Sequence, residues 1–337
     1  MILVTGGTGM VGAHLLFELI QTGAAVRAIY RSEKSLEKIK KVFGYFTNEP
    51  ENFVDKIDWV FADVTDVPAL EIAFVGIEKV YHVAALVSFD ERDAKKMRKV
   101  NIHGTANIVN LCIANDVEKL CYVSSIATIS KSVQKDTIDE EDEFNLELSN
   151  YSYAITKYGA EMEVWRGAQE GLDVFIVNPG VILGAGYWKE NSGKLFSMVY
   201  KESPFYTEGV TGFVGVEDVV SVLRKGMDSE IKNERFILVA ENRSFKEILY
   251  RIAAVLNKKK PSIRISPFLS EVGWRLSWFV SVLTGKKNSF SKQSAKSSNN
   301  KSYYNIAKVE QVLDFRYQEV NSVIKNIGTL FLKDHSK

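Results

Sequence analysis

Tyr153 and Lys157 stand four residues apart in SYAITKYGAEMEVWRGAQEG, a stretch whose apolar residues recur at helical spacing. Residues at that spacing share a helix face, so an ammonium is held near a phenol. A phenol titrates at about pH 10 and moves protons poorly at neutrality, but a neighbouring cation favours its ionised form. Tyr153 is therefore a candidate acid/base, with Lys157 tuning it. Ser124 and Ser125 end the apolar run KLCYVSS and bring hydroxyls to a strand end. At the start of the chain, Thr5-Gly6-Gly7-Thr8-Gly9-Met10-Val11-Gly12 joins the run ILV to VGAHLLFELI. Gly6 permits a tight turn, Gly9 lets a ligand approach the backbone, and Gly12 allows a helix to pack closely on a strand. The helix N-terminus adds free N–H groups and a partial positive charge, which together describe a dinucleotide pyrophosphate site.

These residues need a scaffold, and the first 180 residues supply a regular one. Six β-rich runs, ILVT, AVRAIY, IDWVFAD, KVYHVAA, KLCYVSS and VFIVN, alternate with segments of helical periodicity. That alternation predicts an α/β fold: a Rossmann-type doubly wound parallel sheet with helices on both faces. Gly23, Asn115 with Asp116, and Gly171 stand where left-handed residues end helices. After Pro179 the pattern turns irregular, with VEDVVSVLRKGMD as a helix, RFILVA as a short strand and mostly helical sequence beyond. The expected organisation is a dinucleotide-binding domain over 1–180 and a smaller, mostly helical C-terminal substrate domain over 181–212 and 229–337.

Composition narrows the class. The 337 residues carry a net charge of +1, with 46% hydrophobic and 25% charged residues, which excludes disordered, collagenous and coiled-coil chains. No global field gathers nucleic acid. Cys112 and Cys121 lie inside apolar runs as small core residues; with two cysteines and the opening MILVTGG, no disulfide framework or secretory leader is expected, and the location expected is cytoplasmic. Residues 251–301 hold eleven Lys plus Arg against one acid, Glu271, around the apolar run FLSEVGWRLSWFVSVLTG. The favoured reading of that run is a lid over the substrate pocket, and the second is a peripheral membrane contact through 267–287. Interleaved aromatics that would stack bases are missing there, so no nucleic-acid partner is expected. His14, His82, His103 and His335 show no ligand spacing, and no metal site is expected.

The G-x-x-G-x-x-G spacing after Thr5, the Tyr153-x-x-x-Lys157 pair and the strand-end serine together resemble the extended branch of the short-chain dehydrogenase/reductase superfamily, of the NAD-dependent epimerase/dehydratase kind. Among its members the chain is most similar to dihydroflavonol-4-reductase and 3β-hydroxysteroid dehydrogenase-like reductases, over nearly its whole length. The resemblance implies Ser125, third after Tyr122, as the hydroxyl that holds the substrate oxygen, with Tyr153 as acid and Lys157 beside it. It implies Thr5, Gly6, Gly9, Met10, Val11 and Gly12 around the pyrophosphate, Asp63 and Val64 at the adenine, and Ala84 and Ala85 under the adenosine and ribose. Asn178, Pro179 and Val181 would pass the nicotinamide, while Asn101 resembles an asparagine that shapes the site. Phe213–Val219 resembles a segment returning to the first domain, so that 213–228 belongs with it, and Tyr304–Lys308 resembles a late reductase segment.

At the end of the second strand, Tyr30 and Arg31 replace the acid that would bind a ribose 2′-hydroxyl, and an arginine there attracts a 2′-phosphate. Lys38 matches a second phosphate-contacting lysine of the dihydroflavonol-reductase-like proteins, which also read V-R-A-x-x-R. The cofactor expected is NADP rather than NAD. The function expected is NADPH-dependent hydride transfer to the carbonyl of a small, apolar ketone or aldehyde. The rivals are a nucleotide-sugar epimerase or dehydratase of the same fold, opposed by the lack of an N-V-Y-G-P turn, and a non-catalytic NADP-sensing regulator. The resemblance also implies a homodimer, since helices such as those around 93–114 and 151–170, the second bearing Met162, Val164 and Trp165, commonly pair across a two-fold axis in this superfamily.

Overall fold

The computed structural model describes residues 1–132, 135–148, 151–284 and 298–336. Its first half runs β1 (Ile2–Thr5), α1 (Met10–Gln21), β2 (Val26–Tyr30), α2 (Glu33–Phe43), α3 (Pro50–Val54), β3 (Asp58–Phe61), α4 (Val67–Phe74) and β4 (Lys79–His82). It continues with α5 (Ala94–Met97), α6 (Gly104–Ala114), β5 (Lys119–Val123), α7 (Ser152–Gln169) and β6 (Asp173–Pro179). The six expected strands are all present. Gly23, Asp116 and Gly171 have φ of 78°, 51° and 99°, the left-handed values that let each helix stop and the chain turn back. Between α5 and α6 the segment Arg98–His103 is a π-helix, a widened turn common at functional sites.

The second half runs β7 (Val181–Leu183), α8 (Gly193–Tyr200), β8 (Phe205–Tyr206), β9 (Val210–Gly215), α9 (Val216–Asp228), β10 (Glu234–Leu238), β11 (Glu241–Ser244), α10 (Phe245–Val255), β12 (Ile263–Arg264) and α11 (Pro267–Thr284). Two more helices follow, Ala307–Leu313 and Val320–His335. The run RFILVA, read above as part of the smaller half, instead becomes β10, which pairs with β6 in the main sheet. The physical reason lies in β6, where six consecutive residues from Val174 to Pro179 are buried; a strand covered so completely cannot be left with an open edge.

The resulting seven-stranded parallel sheet has the order β10-β6-β5-β4-β1-β2-β3. Helices α1, α2 and α9 share one apolar core with one face, and α4, α6 and α7 share another with the opposite face. The order reverses between β1 and β4, which creates the crevice where this architecture holds ligands. Beyond the sheet, β11-β9-β7 form a three-stranded sheet. It joins α8, α10 and the helix Val320–His335 around a separate core of Leu183, Trp188, Phe196, Phe213, Ile252 and Phe331. Both cysteines are buried free thiols in the main cores. Among the described residues, no helix is long and apolar enough to cross a membrane. Within the basic stretch, Lys286, Lys287, Lys292 and Lys296 lie outside the described residues.

Candidate active site

The crevice starts at the glycine turn. Gly6 has φ 69°, and a Cβ there would lie 2.6 Å from the Ala84 nitrogen, so the turn after β1 and the exit of β4 touch through backbone alone. A Cβ on Gly12 would lie 2.2 Å from the Gly6 carbonyl oxygen, so α1 can start directly on the turn only with glycine there. Gly9, the N-cap of α1, would meet only the Gly6 oxygen at 3.3 Å, leaving its outer side open to a ligand. A dinucleotide pyrophosphate fits this cradle of small residues at a helix N-terminus. Met10 and Val11 are buried in the first turn of α1. Thr5 Oγ1 lies 2.6 Å from His82 Nδ1 and accepts from the Ala84 N–H at 3.3 Å, tying β1 to β4 at the crevice floor.

Beyond the end of β5 stand Ser125 and Tyr153, which interact side chain to side chain. Ser125 caps the short turn Ile126–Thr128, its Oγ accepting from the Ala127 N–H at 3.1 Å. Burial raises the Tyr153 phenol above its ordinary pKa and the Ser125 hydrogen bond lowers it, burial being the larger effect. Ser124 points the other way, as strand alternation requires, and donates to Glu161 Oε2 at 2.5 Å.

Lys157 does not behave as its spacing implied. Its ammonium is fully buried and donates to the Tyr122 hydroxyl at 2.6 Å and the Val123 carbonyl at 2.8 Å, at the end of β5, rather than to the phenol of Tyr153. A buried ammonium must find acceptors, and the strand end provides two. Burial lowers Lys157 to a pKa of about 7, with Glu161 pulling it upward. Burial, and secondarily the Lys157 charge, hold His82 neutral with a pKa of about 3.

Asn178 is likewise turned inward. Its amide donates to the Ser125 carbonyl at 3.2 Å, to Thr128 Oγ1 at 2.9 Å and to Glu161 Oε2 at 2.8 Å, so it braces the Ser125 turn instead of facing the crevice. Pro179 completes β6, and Val181 opens β7 just beyond it. Asn101, in the π-helix, accepts from the Leu86 N–H at 2.7 Å and donates to the Leu86 carbonyl at 3.0 Å and to Thr156 Oγ1 at 3.2 Å. It thereby joins the loop holding Ala84 and Ala85 to α7.

At the far end of the crevice, Arg31 follows β2 and lies 3.4 Å from Asp63 Oδ2, both partly exposed. Asp63 also accepts from the Thr65 N–H and hydroxyl at 2.9 and 2.8 Å; these bonds and Arg31 hold its carboxyl below the usual range although burial opposes them. Val64 is buried against Gly104, where a Cβ would come within 2.6 Å of its side chain, so it packs α6 onto the sheet. Lys38 reaches across to Glu190 at 2.7 Å, and Tyr187 donates to the Thr8 carbonyl at 2.8 Å, so the segment after β7 closes on α2 and the glycine turn.

Sequence reading passed over Glu161 and Arg235, which meet at 3.2 Å beneath the Ser125 turn. The one available signal was spacing, since Glu161 continues the series Tyr153, Lys157 at four-residue steps. Arg235 carried no signal, because its strand was placed in the wrong half.

A family model described as the NAD dependent epimerase/dehydratase family matches residues 2–203. A putative dihydroflavonol 4-reductase of Synechocystis is 27% identical over 95% of this chain and 91% of its own. Sterol demethylase protein B of Methylococcus capsulatus is 26% identical over 80% of this chain and 78% of its own. Among solved structures, UDP-glucose 4-epimerase of Thermotoga maritima with UDP-glucose superposes with a TM-score of 0.77 at 20% identity, covering 99% of both chains, a likeness of fold.

Proposed function

This chain belongs to the NAD-dependent epimerase/dehydratase family as an NAD(P)-dependent oxidoreductase of the extended short-chain type, and from that premise we propose that it uses NADPH to reduce the carbonyl of a small, apolar ketone or aldehyde. The observation that carries the reading is the Ser125–Tyr153 pair over the buried Lys157 ammonium. With one Ser125 lone pair occupied by Ala127, its hydroxyl proton, which engages the Tyr153 phenol, would turn to a substrate oxygen seated between the two. Tyr153, whose pKa burial raises, keeps its proton at neutrality and can give it to that oxygen. Lys157 supplies a positive charge behind the oxygen-binding end of β5. The cofactor would lie along Thr5, Gly6, Gly9, Met10, Val11 and Gly12, with Ala84 and Ala85 beside it, and its nicotinamide supplies the hydride when bound.

Arg31 and Lys38 favour the 2′-phosphate of NADP, and Asp63 beside Arg31 moderates that preference. The relation to a putative dihydroflavonol 4-reductase over 95% of the chain supports reduction of a free carbonyl compound over sugar epimerisation. Following NADPH consumption with aldehydes and ketones, and sugar products with UDP-glucose, decides the matter. Redox-neutral conversion of UDP-glucose without net NADPH use would replace the reductase reading with the epimerase one.

We further propose a homodimer built on α6 and α7 and a cytoplasmic protein. Met162 is exposed on α7 and available to such an interface, whereas Val164 is fully buried in the chain's own core and Trp165 packs beside Glu161. Light scattering at micromolar concentration tests the dimer. At the start of α11, Phe268, Leu269 and Val272 are exposed beside Arg275, a combination suited to an anionic membrane surface. Co-sedimentation with anionic vesicles at low salt tests that contact.

A further inference from the structure

Helix α7 carries a third polar group in line with Tyr153 and Lys157. Glu161 lies one turn beyond Lys157 and has no exposed surface, although an isolated carboxylate in such a place would be very costly. Its two oxygens have separate partners. Oε2 accepts from Ser124 at 2.5 Å, Thr128 at 2.8 Å and Asn178 at 2.8 Å, while Oε1 faces Arg235 at 3.2 Å and Trp165 Nε1 at 3.5 Å. Ser124 and Thr128 flank Ser125 in sequence, and Asn178 also holds the Ser125 carbonyl. One carboxylate oxygen thus gathers both sides of the turn that presents Ser125. Arg235 is anchored in turn, its guanidinium donating to the carbonyls of Glu140 at 2.7 and 2.9 Å and Asp142 at 2.7 Å.

We propose that Glu161 is a positioning residue of this site: gripped by Arg235, its carboxylate holds the turn bearing Ser125 and, buried one turn along the same helix from Lys157, serves as counter-charge to the ammonium. The inference rests on the Ser125, Tyr153 and Lys157 reading and adds to it a residue that touches no substrate. The groups around Lys157 are few. Tyr122 of β5 accepts from it, His82 of β4 is kept neutral partly by its charge, Tyr153 and Glu161 share its helix, and Arg235 of β10 lies behind Glu161. Burial pulls the ammonium toward losing its proton and Glu161 opposes that. Arg235, by neutralising part of the carboxylate, must act on Lys157 with the opposite sign to Glu161. Simple bracing has no such sign.

The test is an NMR titration of full-length protein labelled with 13Cε-lysine, with the Lys157 resonance identified by its loss in Lys157→Arg. Glu161→Gln should move the Lys157 midpoint to lower pH, and Arg235→Gln should move it to higher pH. The alkaline limb of kcat should follow in each case, with kcat in Glu161→Gln lowered roughly 10- to 100-fold by the loosened Ser125 turn. Unmoved midpoints in both variants, or midpoints that move in the same direction, overturn the proposal. If Glu161→Gln does not fold, Arg235→Gln decides alone: an upward midpoint supports the proposal and an unchanged or lower one refutes it. Wild-type turnover by Tyr153→Phe would defeat the underlying catalytic reading while leaving these midpoints where they are, so the two failures are distinguishable.

Discussion

Thr5 Oγ1 and His82 Nδ1 meet at 2.6 Å across the boundary between β1 and β4, where the strand order of the sheet reverses. His82 Nε2 lies 2.9 Å from Thr105 Oγ1, so both ring nitrogens are engaged by hydroxyls and the ring has no exposed surface. The crevice floor is thus locked by an imidazole that must stay neutral.

That requirement predicts an acid-sensitive fold. The folded pKa of His82, about 3, lies below the ordinary value of 6.5, so between those limits the unfolded chain binds a proton that the folded chain does not. Stability is fully present above about pH 6.5 and declines as pH falls toward 3, by about 2 kcal/mol at pH 5. Buried His14 is shifted in the same direction and adds to the slope. Urea midpoints at pH 7 and pH 5 should differ by less in His82→Gln than in the wild type; an equal difference in both removes His82 as the cause.

Removing the phenol oxygen tests the proton donor. Tyr153→Phe should bind NADPH almost as the wild type does, yet lower kcat by roughly 10²- to 10⁴-fold. Steady-state kinetics on any carbonyl substrate found in the screen measures this, and an unchanged kcat would exclude Tyr153 as the acid.

Cofactor choice turns on the residue after β2. Arg31→Ala should weaken NADPH by roughly 1 to 3 kcal/mol and leave NADH nearly untouched, because only the 2′-phosphate gains from a charge-assisted bond. Conversely, Asp63→Asn frees the guanidinium from its partner at 3.4 Å and should raise NADPH selectivity. Calorimetry with both cofactors provides the comparison, and equal wild-type affinities for the two would contradict the NADP assignment.

The glycine turn makes a steric prediction. Gly12→Ala forces a methyl group to 2.2 Å from a backbone oxygen that cannot step aside, and should cost about 1 to 3 kcal/mol of stability together with cofactor binding. Gly23→Ala is the control: its φ of 78° strains an alanine, but nothing lies within 4 Å, so cofactor binding should survive. Thermal shift with and without NADPH reads both quantities, and retained binding in Gly12→Ala would argue against the cradle.

Much of this protein was legible in one dimension. Gly6 and Gly12 announce a close approach of backbone to backbone, because a Cβ at either would fall within 2.6 Å of main-chain atoms, and the alternation of strands and helices dictates a parallel sheet whose crevice follows from its order. Tyr153 and the serines ending β5 could be marked as candidates because a helix face and a strand end are local features, while the choice of Ser125 over Ser124 came from the resemblance. What the sequence could not convey were relationships between distant segments. Nothing local distinguishes RFILVA as the seventh strand; only the burial of β6 on both faces demands that neighbour. With β10 comes Arg235, and with Arg235 the buried Glu161 beneath the Ser125 turn, a pair separated by 74 residues. Spacing placed Lys157 on the same helix face as Tyr153, yet the acceptors at the end of β5 drew its ammonium to Tyr122, and the Glu161 oxygen drew Asn178 inward. Periodicity states which face a side chain occupies; which partner it meets there is decided by burial, since a polar group removed from water takes whichever complementary atom the packed fold brings within reach.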